Sequence, residues 1–464
     1  MALIKTHLET ANMFRSWFGM PINETWVDRA NLIDIPIDAS AGIILEYPAM
    51  NGTIAVKQAD VVLIDDFLDF PNPYTLNDLE YYAGKQSPNG PGMTYGVFSI
   101  VANEISPSGC AAYTYDLYSS QPYTRAPWFL YSEQLIDDFT LNGGTHPAYP
   151  FLTGMGGANR VAIFGYLGLR LMANSLNVDP SLPPQIPHLD YRTFYWQGQA
   201  INATSNQTHT TISRLPLNRN LENANSTFNN SPIPVTMGIN ATSIGNLPPN
   251  GMIVVKNRQY SLNKTVAGNV AQCQPVSSPQ GFQPGQFPIS AVDGAASTKW
   301  QPNAANTPSW IDVTLPTPYE PITSFYFDWA QSPPKSFSIV FSNDSQWRPG
   351  KVVNVASSNN IAISEPYNAT NQAAIVPYSS NTTNVSLSKP VWNGNWARLI
   401  IEGNQNNPAT NAPGATVAEW AIIGQDAQNV QSYAPSARKS VRQRSIARMD
   451  NWNPWKKEKF LSDV

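Results

Sequence analysis

The sequence is poor in the residues that build metal clusters, disulfide scaffolds and membrane spans. Its 464 residues include only two cysteines and four histidines, which lie far apart along the chain. This spacing excludes a zinc finger and a small disulfide-dense fold. No run approaches the ~18 consecutive apolar residues that span a bilayer, so we expect no membrane-spanning helix. Charged residues make up only 13% of the chain, and the net charge of −4 argues against nucleic-acid binding.

The small net charge hides a basic C-terminal segment on an acidic body. Eight lysines and arginines lie between residues 438 and 459. Residues 426–464 show no helical or strand periodicity, and we interpret them as a basic disordered tail. Binding of this tail to an acidic cell-wall polymer or to a membrane surface is the alternative hypothesis.

Twelve Asn-X-Ser/Thr triplets favour a secreted glycoprotein, destined for the cell wall or a vacuole. The first twenty residues do not form a signal peptide, because Lys5, His7 and Glu9 interrupt the apolar core that a signal peptide needs. They have the apolar spacing of a helix instead, and we expect the sequence to begin inside a domain. In a secreted protein Cys110 and Cys273 either form a bridge or remain two buried thiols.

Residues 1–178 have the periodicity of helices separated by loops. Helical stretches are predicted at about 58–70, 76–86, 93–106, 110–119 and 154–172. Thr75, followed three residues later by Asp78, predicts a helix N-cap close to a capping box. The glycine-rich segment 154–157 superficially resembles a phosphate-binding loop, but no strand precedes it, so close helix packing is the favoured interpretation.

From residue 179 onward the pattern is that of β-strands separated by turns rich in Asn, Ser, Pro and Gly. Residues 179–267 predict a small β-sandwich, and residues 268–425 predict a second all-β unit. The fold class is therefore multidomain α + β, with helices first and two β-sandwiches after them.

The second β unit resembles the discoidin-like, coagulation-factor type C modules, which form a jelly-roll sandwich. The matching segments are Asp293–Trp300, Trp310–Leu315, Phe337–Asp344, Arg398–Ile401 and Glu419–Trp420. The resemblance implies a carbohydrate-binding-like module with a cell-wall glycan as a candidate partner. Trp329 and Trp347 are candidates to stack on a sugar ring, although a core position is favoured for each. Some such modules hold a structural calcium ion, for which Asp293 and Glu419 are the candidates here.

Two features of the helical part carry candidate chemistry. Glu46 follows an apolar run and stands beside chain-breaking residues, and Lys57-Gln58 precedes a predicted helix eleven residues later. A cation beside an amide suits a hydroxyl-rich ligand. On these residues alone, a solvated loop glutamate is the default interpretation of Glu46.

The segments FGMPINETW, IPIDASAGIILEYPAMNGTIAVKQADVV and FLTGMGGANRVAIFGYLGLR resemble glycoside hydrolase family 65, and within it the fungal acid trehalases. The resemblance implies that residues 1–178 form the second half of an (α/α)6 barrel and that residues 179–267 form the β-sandwich that follows it. It also implies that Glu46 is the general base and that Lys57 and Gln58 bind glucose, with no organic cofactor. The implied substrate is α,α-trehalose.

Family 65 also contains phosphorylases, and the sequence departs from them. Where phosphorylases carry a serine-rich phosphate loop, residues 90–96 contain no serine. Phosphorylases also tend to have a neutral residue where this chain has Glu46, so water is the expected attacking species. Inverting hydrolysis needs a second carboxyl group as acid, and the resemblance places it upstream of Met1. We therefore expect the 464-residue chain alone to be inactive. The alternatives are a hydrolase of another α-glucoside, such as kojibiose, and a non-enzymatic carbohydrate-binding protein of the cell surface.

Overall fold

The computed structural model describes residues 1–424 except residues 54, 69, 173, 239, 259–263, 317–320, 362–380, 393, 408, 410 and 411. The predicted basic tail, residues 426–464, lies outside the described residues.

Helices dominate the first 166 residues, as predicted. The α-helices are α1 (Ala2–Trp17), α2 (Glu24–Asn31), α3 (Asp60–Phe67), α4 (Thr75–Lys85), α5 (Thr94–Ile105), α6 (Ala111–Ser120) and α7 (Leu152–Arg160). A π-helical segment, Val161–Tyr166, continues α7. Two short hairpins interrupt the helices: β1 (Ile37–Asp38) with β2 (Ile43–Ile44), and β3 (Thr124–Arg125) with β4 (Leu130–Tyr131).

Helix α5 lies at the centre of the helical part. It is apolar around most of its circumference, and ten of its twelve residues are buried, as expected for a helix enclosed by others. Its neighbours include α3, α4, α6 and α7. A Cβ added to Gly96 of α5 would lie only 2.7 Å from the backbone of Gly157 in α7. Gly154 and Gly157 therefore serve close packing, as predicted, whereas a Cβ on Gly156 would meet open space.

The predicted N-cap of α4 is wrong. Thr75 is the first helical residue, and the N-cap, Tyr74, makes no side-chain capping hydrogen bond. The Thr75 hydroxyl instead donates to Asp65 at 3.0 Å, and Asp78 accepts a hydrogen bond from the backbone N–H of Ile44 at 2.8 Å. A local capping pattern could not reveal these contacts, because their partners lie 10 and 34 residues away.

The small β-sandwich consists of two sheets. One contains β5 (Leu176–Val178), β10 (Ile233–Met237) and β11 (Thr242–Leu247), with β5 parallel to β10. The other contains β6 (His188–Asp190), β7 (Phe194–Trp196), β8 (Gln199–Asn206), β9 (His209–Arg214) and β12 (Met252–Lys256). Buried residues of both sheets join the same hydrophobic core as the helices.

The discoidin-like sandwich has a separate core. Its larger sheet runs in the order β13 (Val276–Ser277), β14 (Ser309–Thr314), β19 (Trp396–Glu402), β16 (Ser336–Ser342) and β17 (Val352–Ser358). Its smaller sheet runs in the order β18 (Thr382–Trp392), β15 (Pro321–Asp328) and β20 (Glu419–Gly424). Trp300, Trp329 and Trp420 are completely buried between the sheets. The predicted order of helices, small β-sandwich and discoidin-like sandwich is confirmed.

A disulfide joins the helical part to the discoidin-like sandwich. Cys110, at the start of α6, is bonded to Cys273, 163 residues later. Beside it the hydroxyl groups of Tyr115 and Ser297 are hydrogen bonded, and the carboxylate of Glu80 accepts from the backbone N–H of Ala296 at 2.9 Å. The open question of whether the two cysteines bridge is thus resolved in favour of the bridge.

Helix α1 presents an apolar surface to solvent. Leu3, Phe14 and Trp17 are each more than 45% exposed, and Phe18 directly after the helix is 78% exposed. Within the described part of the chain, no helix combines the length and apolarity needed to cross a bilayer.

Candidate active site

Helix α4 holds the strand that precedes Glu46 through both backbone polar groups of one residue, Ile44. The backbone N–H of Ile44 donates to Asp78 at 2.8 Å, and the Tyr82 hydroxyl donates to the Ile44 carbonyl at 2.7 Å. Asp78, Tyr82 and Ile44 are all buried. Two hydrogen bonds from one rigid helix therefore fix the backbone two residues before Glu46.

Asp78 belongs to a buried carboxyl pair. Asn72 Nδ2 lies 2.7 Å from an oxygen of Asp78 and 3.4 Å from an oxygen of Asp65. Burial, together with the nearby charge of Asp65, raises the pKa of Asp78 well above its ordinary value. We infer that Asp78 is protonated at acidic pH, where two buried negative charges would otherwise repel each other.

The segment that carries Lys57 and Gln58 is held by the end of α4. The amide of Val56 donates to the Lys85 carbonyl at 2.9 Å, and the amide of Ser87 donates to the Val56 carbonyl at 2.7 Å. Gln86 Nε2 donates to the carbonyl of Lys57 itself at 2.8 Å. The backbone of the predicted glucose-binding pair is therefore held by the C-terminal end of α4 and the residues that follow it, the same helix that holds Ile44.

Glu46 and Gln58 both approach Asp60, the first residue of α3. Gln58 Nε2 donates to Asp60 Oδ1 at 3.2 Å, and the Asp60 backbone N–H donates to the Gln58 carbonyl at 3.0 Å. Partial desolvation, followed by the charge of Asp60, raises the pKa of Glu46, while the Asp60 amide opposes this rise. The side chain of Lys57 is exposed.

A cavity of about 640 Å³ lies beside Glu46. Glu46, Tyr47 and Asp60 supply its polar rim, and apolar residues of α1 and α3 line the rest. Glu46 itself is exposed to solvent at the rim. A carboxylate with a raised pKa at the edge of a cavity can accept a proton from a bound water molecule.

Sequence reasoning gave no role to Asp60, Asp78 or Tyr82. Asp60 stood beside Lys57-Gln58, and its position in the first turn of a helix was the only local signal. Asp78 was noticed only as part of a capping pattern. Their actual contacts join segments far apart in the chain, so no local motif could have identified them.

The candidate calcium ligands already have protein partners. Asp293 accepts hydrogen bonds from Thr298 and from a backbone N–H, and Glu419 accepts from Asn269 and from another backbone N–H. Burial raises the pKa of Asp293 to about 7 and that of Glu419 well above its ordinary value. The described residues contain no group of three or more His, Cys, Asp or Glu arranged to hold a metal. Because calcium takes six to eight oxygen ligands, these two engaged carboxylates do not by themselves form its cage.

The two candidate sugar-stacking tryptophans differ in their surroundings. Trp329 is completely buried and stacked on Phe327, with ring centroids 4.4 Å apart, so its core interpretation is confirmed. Trp347 is half-buried and lies over the guanidinium of Arg398 at 4.1 Å. Arg398 also contacts Trp310 at 5.0 Å, so Trp347 belongs to a cation–π stack.

Family models match two parts of the chain. The glycosyl hydrolase family 65 C-terminal domain matches residues 169–221, and the F5/8 type C domain matches residues 275–410. The chain therefore combines a C-terminal domain of family 65 glycoside hydrolases with an F5/8 type C, or discoidin-like, module.

The close homologues of this chain are fungal acid trehalases. A cell wall acid trehalase of Arthroderma benhamiae is 50% identical over 91% of this chain and 43% of its own length. An acid trehalase of Emericella nidulans is 47% identical over 91% of this chain and 42% of its own length. The chain thus spans less than half the length of these relatives.

A solved chitosan-binding module from Paenibacillus sp. IK-5 is 19% identical to this chain, with a TM-score of 0.26. It covers 34% of this chain and 100% of its own. A likeness this weak adds nothing to the assignment.

Proposed function

We propose that this chain is part of an acid trehalase, which hydrolyses α,α-trehalose to glucose with inversion at the attacked carbon. The observation that carries the proposal is the near-complete alignment of the chain with fungal acid trehalases at about half identity. The arrangement of Glu46 at the rim of a cavity, on a backbone held by α4, supports it.

Glu46 acts as the general base in this proposal. Inverting hydrolysis requires one carboxylate to activate water and a second carboxyl group, ~6.5–9.5 Å away, to protonate the leaving oxygen. The raised pKa of Glu46 makes its carboxylate a stronger base once it is ionised. The nearby Asp60 amide, at the start of α3, opposes the rise in the pKa of Glu46.

Lys57 and Gln58 bind the glucose unit whose bond is cleaved. An ammonium group donates to sugar hydroxyls, and an amide both donates and accepts. The hydrogen bond from Gln86 to the Lys57 carbonyl fixes the backbone from which both side chains extend. Gln58 is linked to the cavity beside Glu46 through its hydrogen bond to Asp60, which lines that cavity, whereas Lys57 and Gln58 themselves are not among the lining residues.

Water, rather than phosphate, is the attacking species. Residues 90–96 contain no serine that would bind a phosphate oxygen. A side chain at position 90 would collide with the carbonyl oxygen of Lys57, so only glycine fits there. This stretch of backbone packs directly against the glucose-binding segment.

The decisive experiment compares Glu46→Gln with Glu222→Gln in the full-length protein from its native host. Glu222 is an exposed glutamate on the small β-sandwich and serves as the matched control. We expect Glu46→Gln to lower kcat for trehalose by about 10²–10⁴-fold, the usual contribution of a general base, and Glu222→Gln to leave it unchanged. Equal turnover by the two variants would refute the role of Glu46.

The stereochemistry and the substrate have separate readouts. Proton NMR of the first turnovers distinguishes the anomers, and we expect one β- and one α-glucose from each trehalose. Two α-glucose molecules would contradict inversion. A higher kcat/KM for kojibiose than for trehalose would favour the alternative α-glucosidase, whereas sugar binding without hydrolysis would favour a binding protein.

We also propose an extracellular, cell-wall location, with the discoidin-like module in contact with wall glycan. Several relatives are named as cell wall, periplasmic or secreted acid trehalases. The disulfide and the twelve glycosylation triplets suit the same compartment. Fractionation of the native host tests this: recovery of the protein in the cytosol with free thiols would contradict it.

A further inference from the structure

We propose that the cavity between the helical part and the discoidin-like module binds one ring of a hydroxyl-rich sugar, at a site separate from the cavity beside Glu46. This junction cavity has a volume of about 340 Å³, enough for a single monosaccharide ring. Its walls come from α4, α5 and α6 on one side and from residues 283–301 and Gln331 on the other.

The junction cavity is unusually rich in side-chain amides. Five glutamines line it: Gln86, Gln283, Gln286, Gln301 and Gln331. An amide carries both donors and an acceptor, so it pairs with hydroxyl groups, which also do both. Such a lining suits a neutral sugar better than an apolar ligand or a simple anion.

Several of these amides have an oxygen without a protein partner. The Oε1 of Gln86 is buried and accepts no hydrogen bond from any described residue. Gln283 and Gln301 use Nε2 to donate to Asn303 and Gly414, and no described residue donates to their Oε1 atoms. Buried polar atoms are normally paired, so the Gln86 oxygen indicates a ligand hydroxyl or a water molecule, while the accessible oxygens of Gln283 and Gln301 are free to accept from a ligand.

Lys299 places a positive charge in the same cavity. Its ammonium makes one hydrogen bond, to Gln331 Oε1 at 2.7 Å, and forms no ion pair within the described residues. Burial lowers the pKa of Lys299 to about 8, so the group is still charged at acidic and neutral pH. A partly buried ammonium with two N–H groups that no described residue accepts from lacks the partners that usually compensate its desolvation.

The walls of the junction cavity are held by close packing. Gly285 has a φ of 78° and lies flat against the ring of Tyr118, where any Cβ would overlap the ring. The disulfide between Cys110 and Cys273 and the hydrogen bond between Tyr115 and Ser297 hold the same two surfaces together. The walls are therefore preformed, which lowers the entropy lost when a ligand binds.

The ring could belong to a free monosaccharide or to the end of a glycan chain, and the two sources are separable by probe. Isothermal titration with D-glucose tests the first, and titration with maltotriose tests the second. Binding of glucose alone would assign a free sugar, and binding of both would assign a chain end. A Kd above about 50 mM corresponds to negligible specific recognition. If neither probe binds with a Kd below this value, the proposal is overturned.

The variant that tests the site is Lys299→Met, with Lys335→Met as its control. Both lysines lie in the discoidin-like module, but Lys335 is exposed and outside the junction cavity. All titrations use the full-length protein carrying Lys57→Ala, which weakens glucose binding at the proposed catalytic site. We expect Lys299→Met to weaken binding about tenfold or more, because it removes a charged hydrogen-bond donor, and Lys335→Met to leave it unchanged.

A second variant guards against misfolding. Gln283→Ala removes a half-buried amide at the edge of the cavity, and we expect it to weaken binding several-fold with an unchanged Tm. Wild-type affinity in both Lys299→Met and Gln283→Ala would overturn the proposal. Because neither readout depends on hydrolysis, failure of this site and failure of the trehalase assignment are distinguishable.

Discussion

Replacing Asp78 would show how strongly α4 holds the strand that leads to Glu46. Asp78→Ala leaves the backbone N–H of Ile44 without its acceptor in a fully buried place, and leaves the amide of Asn72 only its longer contact with Asp65 at 3.4 Å. An unpaired buried donor costs about 1–3 kcal/mol, so the free energy of unfolding should fall by at least about that amount. Asp78→Asn keeps an oxygen for Ile44, and we expect a loss of only about 1–2 kcal/mol.

The same carboxyl group makes stability depend on pH, with a definite sign. The pKa of Asp78 is raised in the folded protein, so the folded state binds more protons than the unfolded state above pH ~4. The free energy of unfolding therefore falls as pH rises from about 4 through the folded-state pKa. The side chain of the Asp78→Asn variant cannot titrate. We therefore expect its free energy of unfolding to fall less with rising pH than that of the wild type.

The assay is urea unfolding followed by tryptophan fluorescence at pH 5 and pH 8. Trehalose kinetics on the same variants separate positioning from binding: we expect a lower kcat with little change in KM. Tyr82→Phe, which removes the donor to the Ile44 carbonyl, should reproduce the kcat effect on a smaller scale. Wild-type stability in Asp78→Ala, or an undiminished pH slope in Asp78→Asn, would falsify this reasoning.

Three further predictions concern the β units and the disulfide. Replacing Cys110 and Cys273 by serine opens a 163-residue loop. Because the unfolded chain gains entropy, we expect the free energy of unfolding to fall by up to about 5 kcal/mol, measurable as a lower urea midpoint. Arg398→Ala removes a bidentate pair with Asp312, at 2.6 and 2.8 Å, and two ring contacts, so we expect a loss of about 3–5 kcal/mol by the same assay. Asn381 is 1% exposed, and its amide donates to a backbone carbonyl, so peptide mapping of the native protein should find it without a glycan.

Each of these has its own control. A reducing agent should lower the urea midpoint of the wild type but not that of the serine double variant; equal sensitivity would exclude the bridge. We expect Arg398→Lys to be nearly as unstable as Arg398→Ala, because an ammonium cannot pair with both carboxylate oxygens and also stack on two rings. Asn206 is an exposed triplet asparagine, so a glycan on Asn381 but not on Asn206 would contradict the burial argument.

The sequence predicted the elements of the fold better than the contacts between them. Apolar periodicity located α3 to α6 within three residues at each end. The stretch predicted at 154–172 ran past α7 and its π-helical continuation, which ends at Tyr166, and α7 buries only Gly154. The alternation in Trp310–Leu315 predicted β14, in which Ile311 and Val313 are completely buried. Local periodicity and turn residues were sufficient for these elements.

The candidate site was only partly accessible from the sequence. Glu46, Lys57 and Gln58 came from a family resemblance, and their catalytic and binding roles stay predictions. The capping interpretation of Thr75 and Asp78 failed because buried long-range hydrogen bonds outweigh a local cap. The bridge between Cys110 and Cys273 could not be predicted from local sequence patterns either, because it depends on how the helical part and the discoidin-like module pack together.

The bridge also determines what happens when the chain is cut. The polypeptide that links the helical part to the discoidin-like module lies between Cys110 and Cys273, inside the loop that the disulfide closes. A single proteolytic nick anywhere in that loop leaves two fragments that are still covalently joined. An enzyme nicked outside the cell would run at full size on a non-reducing gel, and its module would be shed only after reduction.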